Sequence, residues 1–278
     1  MAELLTQVPG DAPARKRMSP RKRALCFRLV QYAVLLAVVV LAVININGRQ
    51  IQRVFFRLDL IDETVGVHLL TALKNTLAYT AGSFVLGLLL GTVLALMRLS
   101  QVRPYRWLAT VYVEFFRGVP ALVVLLAFSM LPMAFKGMKI PFEPYGAVWT
   151  ALGMVVGAYM SETIRAGIQA VPKGQVEAAR SLGMRSGMAM RKIVLPQAFR
   201  IVIPPLTNEL IILTKDSSLV YVLGLTVSGF DLTKYGRDLS FKSANLTPLV
   251  TAGLCYLVIT LPLTYLVRRL EARAKKER

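Results

Sequence analysis

A chain of 278 residues that is 55% apolar, with mean hydropathy +0.55 and a formal charge of +19, lies above the roughly 45–50% apolar share of soluble domains. Its apolar residues come in blocks of membrane-spanning length, which excludes a soluble protein of one or two domains. Lys and Arg gather at the block ends and in loops rather than along one amphipathic face, which excludes nucleic acid and leaves anionic lipid heads as the simplest partner for the charge.

Residues 1–23 are polar, with Pro9, Pro13 and Pro20 and the basic clusters Arg15-Lys16-Arg17 and Arg21-Lys22-Arg23, and are expected to form a disordered cytoplasmic tail. The apolar run 29–46 ends in Asn45, Asn47, Gly48 and Arg49 and not in a small-residue cleavage site. It therefore reads as a retained first span rather than a signal peptide. Residues 46–67 mix Arg49, Arg53 and Arg57 with Asp59, Asp62 and Glu63, as suits an external loop holding a surface helix.

Span two is expected over 68–99. Gly87 and Gly91 are four apart, as are Gly153 and Gly157 in a later span; such pairs permit close helix contact, against the plainer alternative of glycine being frequent in membrane helices. Arg98, Arg103 and Arg106 form a short cytoplasmic loop free of acids. Span three, 107–135, is interrupted at Arg117-Gly118-Val119-Pro120, where Pro120 predicts a kink or break. A short external loop follows, with Lys136, Lys139 and Glu143.

Spans four (145–168) and five (198–225) flank a basic island. A second external loop carries Asp231, Lys234, Arg237 and Asp238, and span six (246–267) leads to a basic tail. Six spans with both termini in the cytoplasm put every strongly basic segment on that side. The expected fold is thus all-α, a polytopic membrane helix bundle of about six spans. Cys26 and Cys255 read as packing residues. His68, the only histidine, excludes a multi-histidine metal site within one chain.

The island carries Arg165, Lys173, Arg180, Arg185, Arg191, Lys192 and Arg200 against Glu177 as its only acid. Pro172 is placed to open a helix and Gly183 to close it with a left-handed cap. Ser186 can cap a second short helix that Pro196 limits. Ala178 and Ala179 put two small side chains where another surface can approach the first helix closely.

The island resembles the EAA loop of ABC-importer permeases: Glu177, Ala178, Ala179, then Gly183, then Ile193 to Pro196. Ala158-Tyr159, Glu162, Arg165-Ala166-Gly167, Gly174-Gln175, Pro196-Gln197-Ala198, Pro205, Asn208 and Lys215-Asp216-Ser217-Ser218-Leu219 narrow the resemblance to polar amino-acid permeases. Glu114 to Pro120 is similar to the same family's signature, with Val119 where threonine is common. The likeness spans roughly residues 66–270. It implies a type I ABC importer transmembrane domain, MetI-like, over 68–270, with a coupling loop at 170–196. Residues 24–67 would then be an extra amino-terminal span with its external loop, and 271–278 a cytoplasmic tail.

The resemblance further implies that Gln175, Glu177, Ala178, Ala179, Leu182 and Gly183 meet a cleft in a cytoplasmic ABC ATPase dimer. A second permease subunit, identical or related, would complete the translocation path, and an extracytoplasmic amino-acid-binding protein would deliver a polar amino acid. No glycine-rich run ends in Gly-Lys-Ser or Gly-Lys-Thr, so the chain has no Walker A loop of its own. No nucleophile has a base beside it, and no catalytic residue, cofactor or metal is expected.

Charged and polar residues at membrane depth are the second signal. At about 1.5 Å per helical residue, Glu114 and Arg117 lie roughly 12–17 Å inward of Arg106, and Asn208 about 15 Å inward of Ala198. Such groups face a protein interior or a wet cavity. Glu114, Arg117, Tyr159, Glu162, Asn208, Lys215, Asp216 and Ser217 are candidates for the substrate path. Structural pairing of Glu114 with Arg117, Glu162 with Arg165 and Lys215 with Asp216 is the alternative, and i,i+3 spacing supports it for the first two. Two rival classes stand beside an importer: a secondary transporter or channel, for which the expected inverted repeats are not found in the sequence, and a membrane scaffold, which leaves the mid-membrane charges without purpose.

Overall fold

The computed structural model describes residues 20–45, 47–135 and 137–276, and every regular element among them is helical. The chain divides into two units, Met1–Arg53 and Val54–Arg278. In the first, helix α1 (Pro20–Asn45) is long and apolar enough to cross a membrane. It opens at Pro20, whose missing N–H costs nothing there, so Arg21, Lys22 and Arg23 are helical where a disordered tail is expected. Residues 1–19 of that tail lie outside the described residues. Helices α2 (Gly48–Phe55) and α3 (Leu58–Thr64) occupy the expected loop, two helices in place of one.

The second unit is organised by α4 (Val67–Leu99), α5 (Arg103–Gly118), α6 (Ala121–Ala134) and α7 (Tyr145–Gln169), with α7 packed on the other three. Helices α4 and α7 meet through the two glycine pairs. A methyl added to Gly91 would lie 2.8 Å from the Gly157 carbonyl oxygen and 2.9 Å from Met160 Cβ, and one on Gly153 would lie 2.8 Å from Leu86 Cδ2. Only hydrogen fits at that approach, so the spacing reflects contact and not merely composition. Trp149 Nε1 donates to the Ala78 carbonyl at 2.9 Å, pinning the same pair further along.

Helices α5 and α6 meet at 104°, so the third apolar block is broken between Gly118 and Ala121 and is not one kinked rod. After α7 come α8 (Lys173–Ser181), α9 (Ser186–Ala189) and α10 (Leu195–Asp216), with a π-helical stretch, Met190–Val194, joining the last two. Pro196 therefore does not end a second short helix. The wider π turn absorbs the hydrogen bond that Pro196 cannot donate, and the helix runs on. Ser186 is the first helical residue but makes no side-chain cap.

Span five ends at Asp216, earlier than expected, and passes into a 3₁₀ segment, Ser217–Leu223, closed by Gly224 at φ +62°. The second loop folds into α11 (Leu232–Ser243), and α12 (Thr247–Lys276) continues through most of the expected carboxy-terminal tail. Asp231 is fully buried and caps α11, accepting from the Thr233 and Lys234 amides at 2.8 and 3.2 Å and from the Tyr256 hydroxyl at 3.2 Å. Asn75 ties the same loop to α4, donating to the Ser228 and Phe230 carbonyls at 2.7 and 2.9 Å and accepting from Tyr145 at 2.7 Å.

Among the described residues three helices, α1, α4 and α12, are long and apolar enough to span a membrane, or four elements with the broken α5–α6 pair. Six were expected. Helices α7 and α10 fall short because they carry the ionic and polar residues described next.

Candidate functional site

Pro120 has no N–H to offer the preceding turn, so α5 stops and α6 starts afresh, its first turn closed by bonds from the Val123 and Val124 amides to the Pro120 carbonyl at 2.9 and 3.3 Å. Arg117 sits on the last turn of α5. Together with Tyr159 on α7 and Glu209 and Asp216 on α10 it lines one cavity of about 470 Å³, with Val156 and Leu213 among its apolar lining residues. The Arg117 guanidinium lies 5.7 Å from the centre of the Tyr159 ring. The cavity lining thus combines one guanidinium with two carboxylates.

An ionic cluster adjoins Arg117. Glu162 on α7 receives Arg165 from its own helix at 2.7 Å, Arg98 from the end of α4, and Arg117 at 3.7 Å. The expected Glu162–Arg165 pair is present, enlarged by two further arginines. Among the described residues Arg117 makes no ion pair with Glu114, and Lys215 makes none with Asp216. Arg117, at the helix end, reaches a different carboxylate, on α7. This assembly locks the broken helix to α4 and α7, since removing Glu162 would leave arginines crowded together.

Of the candidates for the substrate path, Arg117, Tyr159 and Asp216 line the cavity, and Glu162 pairs with Arg117. Glu114, Asn208 and Lys215 are exposed and do not line it, and Ser217 is fully buried with its hydroxyl donating to the Thr214 carbonyl at 2.7 Å. Glu209 was not foreseen. A carboxylate at the head of the apolar run 210–213, seven residues before Asp216 and so on the same helix face, is the signal that marks it.

The island supplies a second surface. Helix α8 ends with Gly183 at φ +84°, the Gly183 amide donating to the Arg180 carbonyl at 2.9 Å and the Met184 amide to the Ala179 carbonyl at 3.1 Å. These two bonds form a Schellman cap, which needs the left-handed residue glycine supplies. Gln175 Oε1 accepts from Gln197 Nε2 at 2.5 Å, tying α8 back to α10. Glu177, Ala178 and Gly183 are exposed and Leu182 is 85% exposed, whereas Ala179 is buried. Only one of the two small side chains is therefore open to a partner. Leu182 thus stands open at the end of the short helix that carries the exposed Glu177 and Ala178, next to the exposed Gly183.

Residues 84–276 match the family described as binding-protein-dependent transport system inner membrane component. The chain is 40% identical over 209 residues to the arginine transport system permease protein ArtQ of Bacillus subtilis, covering 74% of this chain and 92% of that one. It is 44% identical over 209 residues to the probable glutamine ABC transporter permease protein GlnM of the same organism, with 74% and 90% covered. A solved amino acid ABC transporter bound to histidines superposes with a TM-score of 0.69 at 38% identity, covering 78% of this chain and 97% of that chain. The MetNI methionine ABC transporter, at a TM-score of 0.57 and 22% identity, shares the fold.

Proposed function

The chain belongs to the family of binding-protein-dependent transport system inner membrane components, and from that membership we propose that it is the permease subunit of an ATP-driven importer of polar amino acids in the cytoplasmic membrane, both termini inside. The observation that carries the coupling is the α8 end, where a glycine-closed cap presents Glu177, Ala178 and Leu182 outward. A separate ATPase pair grips this end and transmits closure to α10, to which Gln175 and the π-helical join connect it. A second permease subunit completes the path, and an extracytoplasmic binding protein loads it.

The cavity supports the substrate class. An α-amino acid carries a carboxylate and an ammonium, and here Arg117, Glu209 and Asp216 line one cavity together with aliphatic side chains. The guanidinium suits the carboxylate bidentately, while the two acids suit an ammonium. Closure of the ATPases opens this cavity outward, and hydrolysis reopens it inward.

Co-purification tests the docking. Leu182→Glu leaves the cap intact and puts a charge on the contact, so we expect insertion to be normal and the ATPase to be lost. Retention of the ATPase by that variant would overturn the assignment of α8 as the handle.

A further inference from the structure

A second cavity, also of about 470 Å³, opens where α4 ends and α5 begins, lined by Arg98, Arg103, Arg106 and Arg165 together with Trp107 and Thr110. Four guanidinium groups share it, and among the described residues the one carboxylate paired with any of them is Glu162, which bonds Arg98 and Arg165 and is shared with Arg117, so positive charge is in clear excess. Among the described residues Arg103 and Arg106 form no ion pair, and Arg165 Nε is buried with no hydrogen-bond partner. Like charges held this close are unfavourable unless an anion enters.

We propose that this cluster binds the phosphate head of an anionic phospholipid of the inner leaflet. Guanidinium forks match phosphate oxygens in pairs, and the Arg103 and Arg106 guanidinium groups lining the cavity are not engaged in ion pairs among the described residues. The choice of a lipid over a free phosphate rests on the surroundings. Trp107 is 68% exposed and Leu108, beside it, 56%, so the phosphate site opens directly onto apolar surface where acyl chains lie. Indole rings at the span end and basic side chains flanking them mark the membrane–water boundary. The leaflet follows from the topology proposed above. Arg165 also donates to Gln169 at 2.9 Å, at the last turn before the island, so an occupied site braces the base of the coupling handle.

The test uses the full-length chain purified in uncharged detergent and native mass spectrometry. Phosphatidylglycerol is expected to be retained in preference to phosphatidylcholine. The double variant Arg103→Gln with Arg106→Gln, which spares the arginines bonded to Glu162, is expected to weaken that retention about tenfold or more, at roughly one basic residue's worth of surface attraction each. Arg103→Lys with Arg106→Lys keeps the charge and is expected to fall between, which separates lost binding from lost folding. Equal retention of the two lipids, or retention unchanged in the Gln variant, would overturn the proposal. Displacement of phosphatidylglycerol by millimolar inorganic phosphate would overturn the lipid and leave a free-oxyanion site. No ATPase or binding protein enters the measurement, so its failure leaves the transport reading untouched, and the reverse holds as well.

Discussion

Arg117 Nη1 stands 3.7 Å from Glu162 Oε1, a contact that ties the end of α5, just before its break from α6, to the last third of α7. Because Glu162 also holds Arg98 and Arg165, a single carboxylate keeps three arginines from repelling one another. Glu162→Ala is expected to lower stability by about 2 kcal/mol, below the 3–5 kcal/mol of a fully buried pair because the cluster is partly solvated. Thermal unfolding in detergent would register this, and a shift no larger than that of a surface substitution would contradict it.

The glycine contact between α4 and α7 makes a sterically sharp prediction. Gly91→Ala places a methyl 2.8 Å from a backbone oxygen, so the helices must separate, at a cost of about 1–3 kcal/mol. Gly253→Ala, where no atom lies within 4 Å, is expected to be neutral or slightly stabilising. Comparing the two melting midpoints isolates packing from helix propensity.

The cavity acids carry the substrate's ammonium in the proposed scheme. Glu209→Gln and Asp216→Asn are each expected to reduce uptake by about tenfold to a hundredfold, the range for a lost hydrogen bond to a charged group. Glu114→Gln, on an exposed face away from the cavity, is expected to leave uptake nearly unchanged. Radiolabelled amino-acid accumulation in proteoliposomes reads all three.

Asp231 offers a test of stability against pH. Burial raises its carboxyl above the ordinary value, although bonds from Thr233, Lys234 and Tyr256 oppose the shift. A raised folded value means that its contribution is fully present below the unfolded carboxylate range and is lost as pH rises through the folded value. Asp231→Asn is expected to keep the cap of α11 and flatten that pH dependence, whereas Asp231→Ala loses the cap at about 1 kcal/mol. Melting curves across mildly acidic to neutral pH distinguish them.

How far the sequence discloses this molecule varies with the range of the interaction. Gly183 and Pro120 announce themselves because a left-handed cap and a missing N–H are properties of one residue. The four glycines of α4 and α7 were legible as small-residue pairs, though only the fold decides that they face each other. Spacing of i,i+3 allows Glu114 to pair with Arg117, yet a helix end lets Arg117 reach another element, and spacing within one helix cannot rank that competitor. Asn208 is exposed whereas its neighbour Glu209 lines the cavity, since one residue turns the side chain about 100° around the helix. Pro196 reads as a stop because the π turn upstream, which rescues it, leaves no mark in composition. Helices α7 and α10 fell outside a purely apolar criterion because they carry the ionic and cavity-lining residues on which the proposed function depends.

The central claim is that a separate ATPase moves this bundle by holding the end of α8. Its most direct measurement is amino-acid accumulation by proteoliposomes containing the permease and its binding protein, with and without the ATPase and ATP. The account predicts accumulation only when both are present, abolished by Ala178→Arg on the exposed face of α8 with the fold intact. Full-rate uptake without the ATPase, or with Ala178→Arg in place, would contradict it.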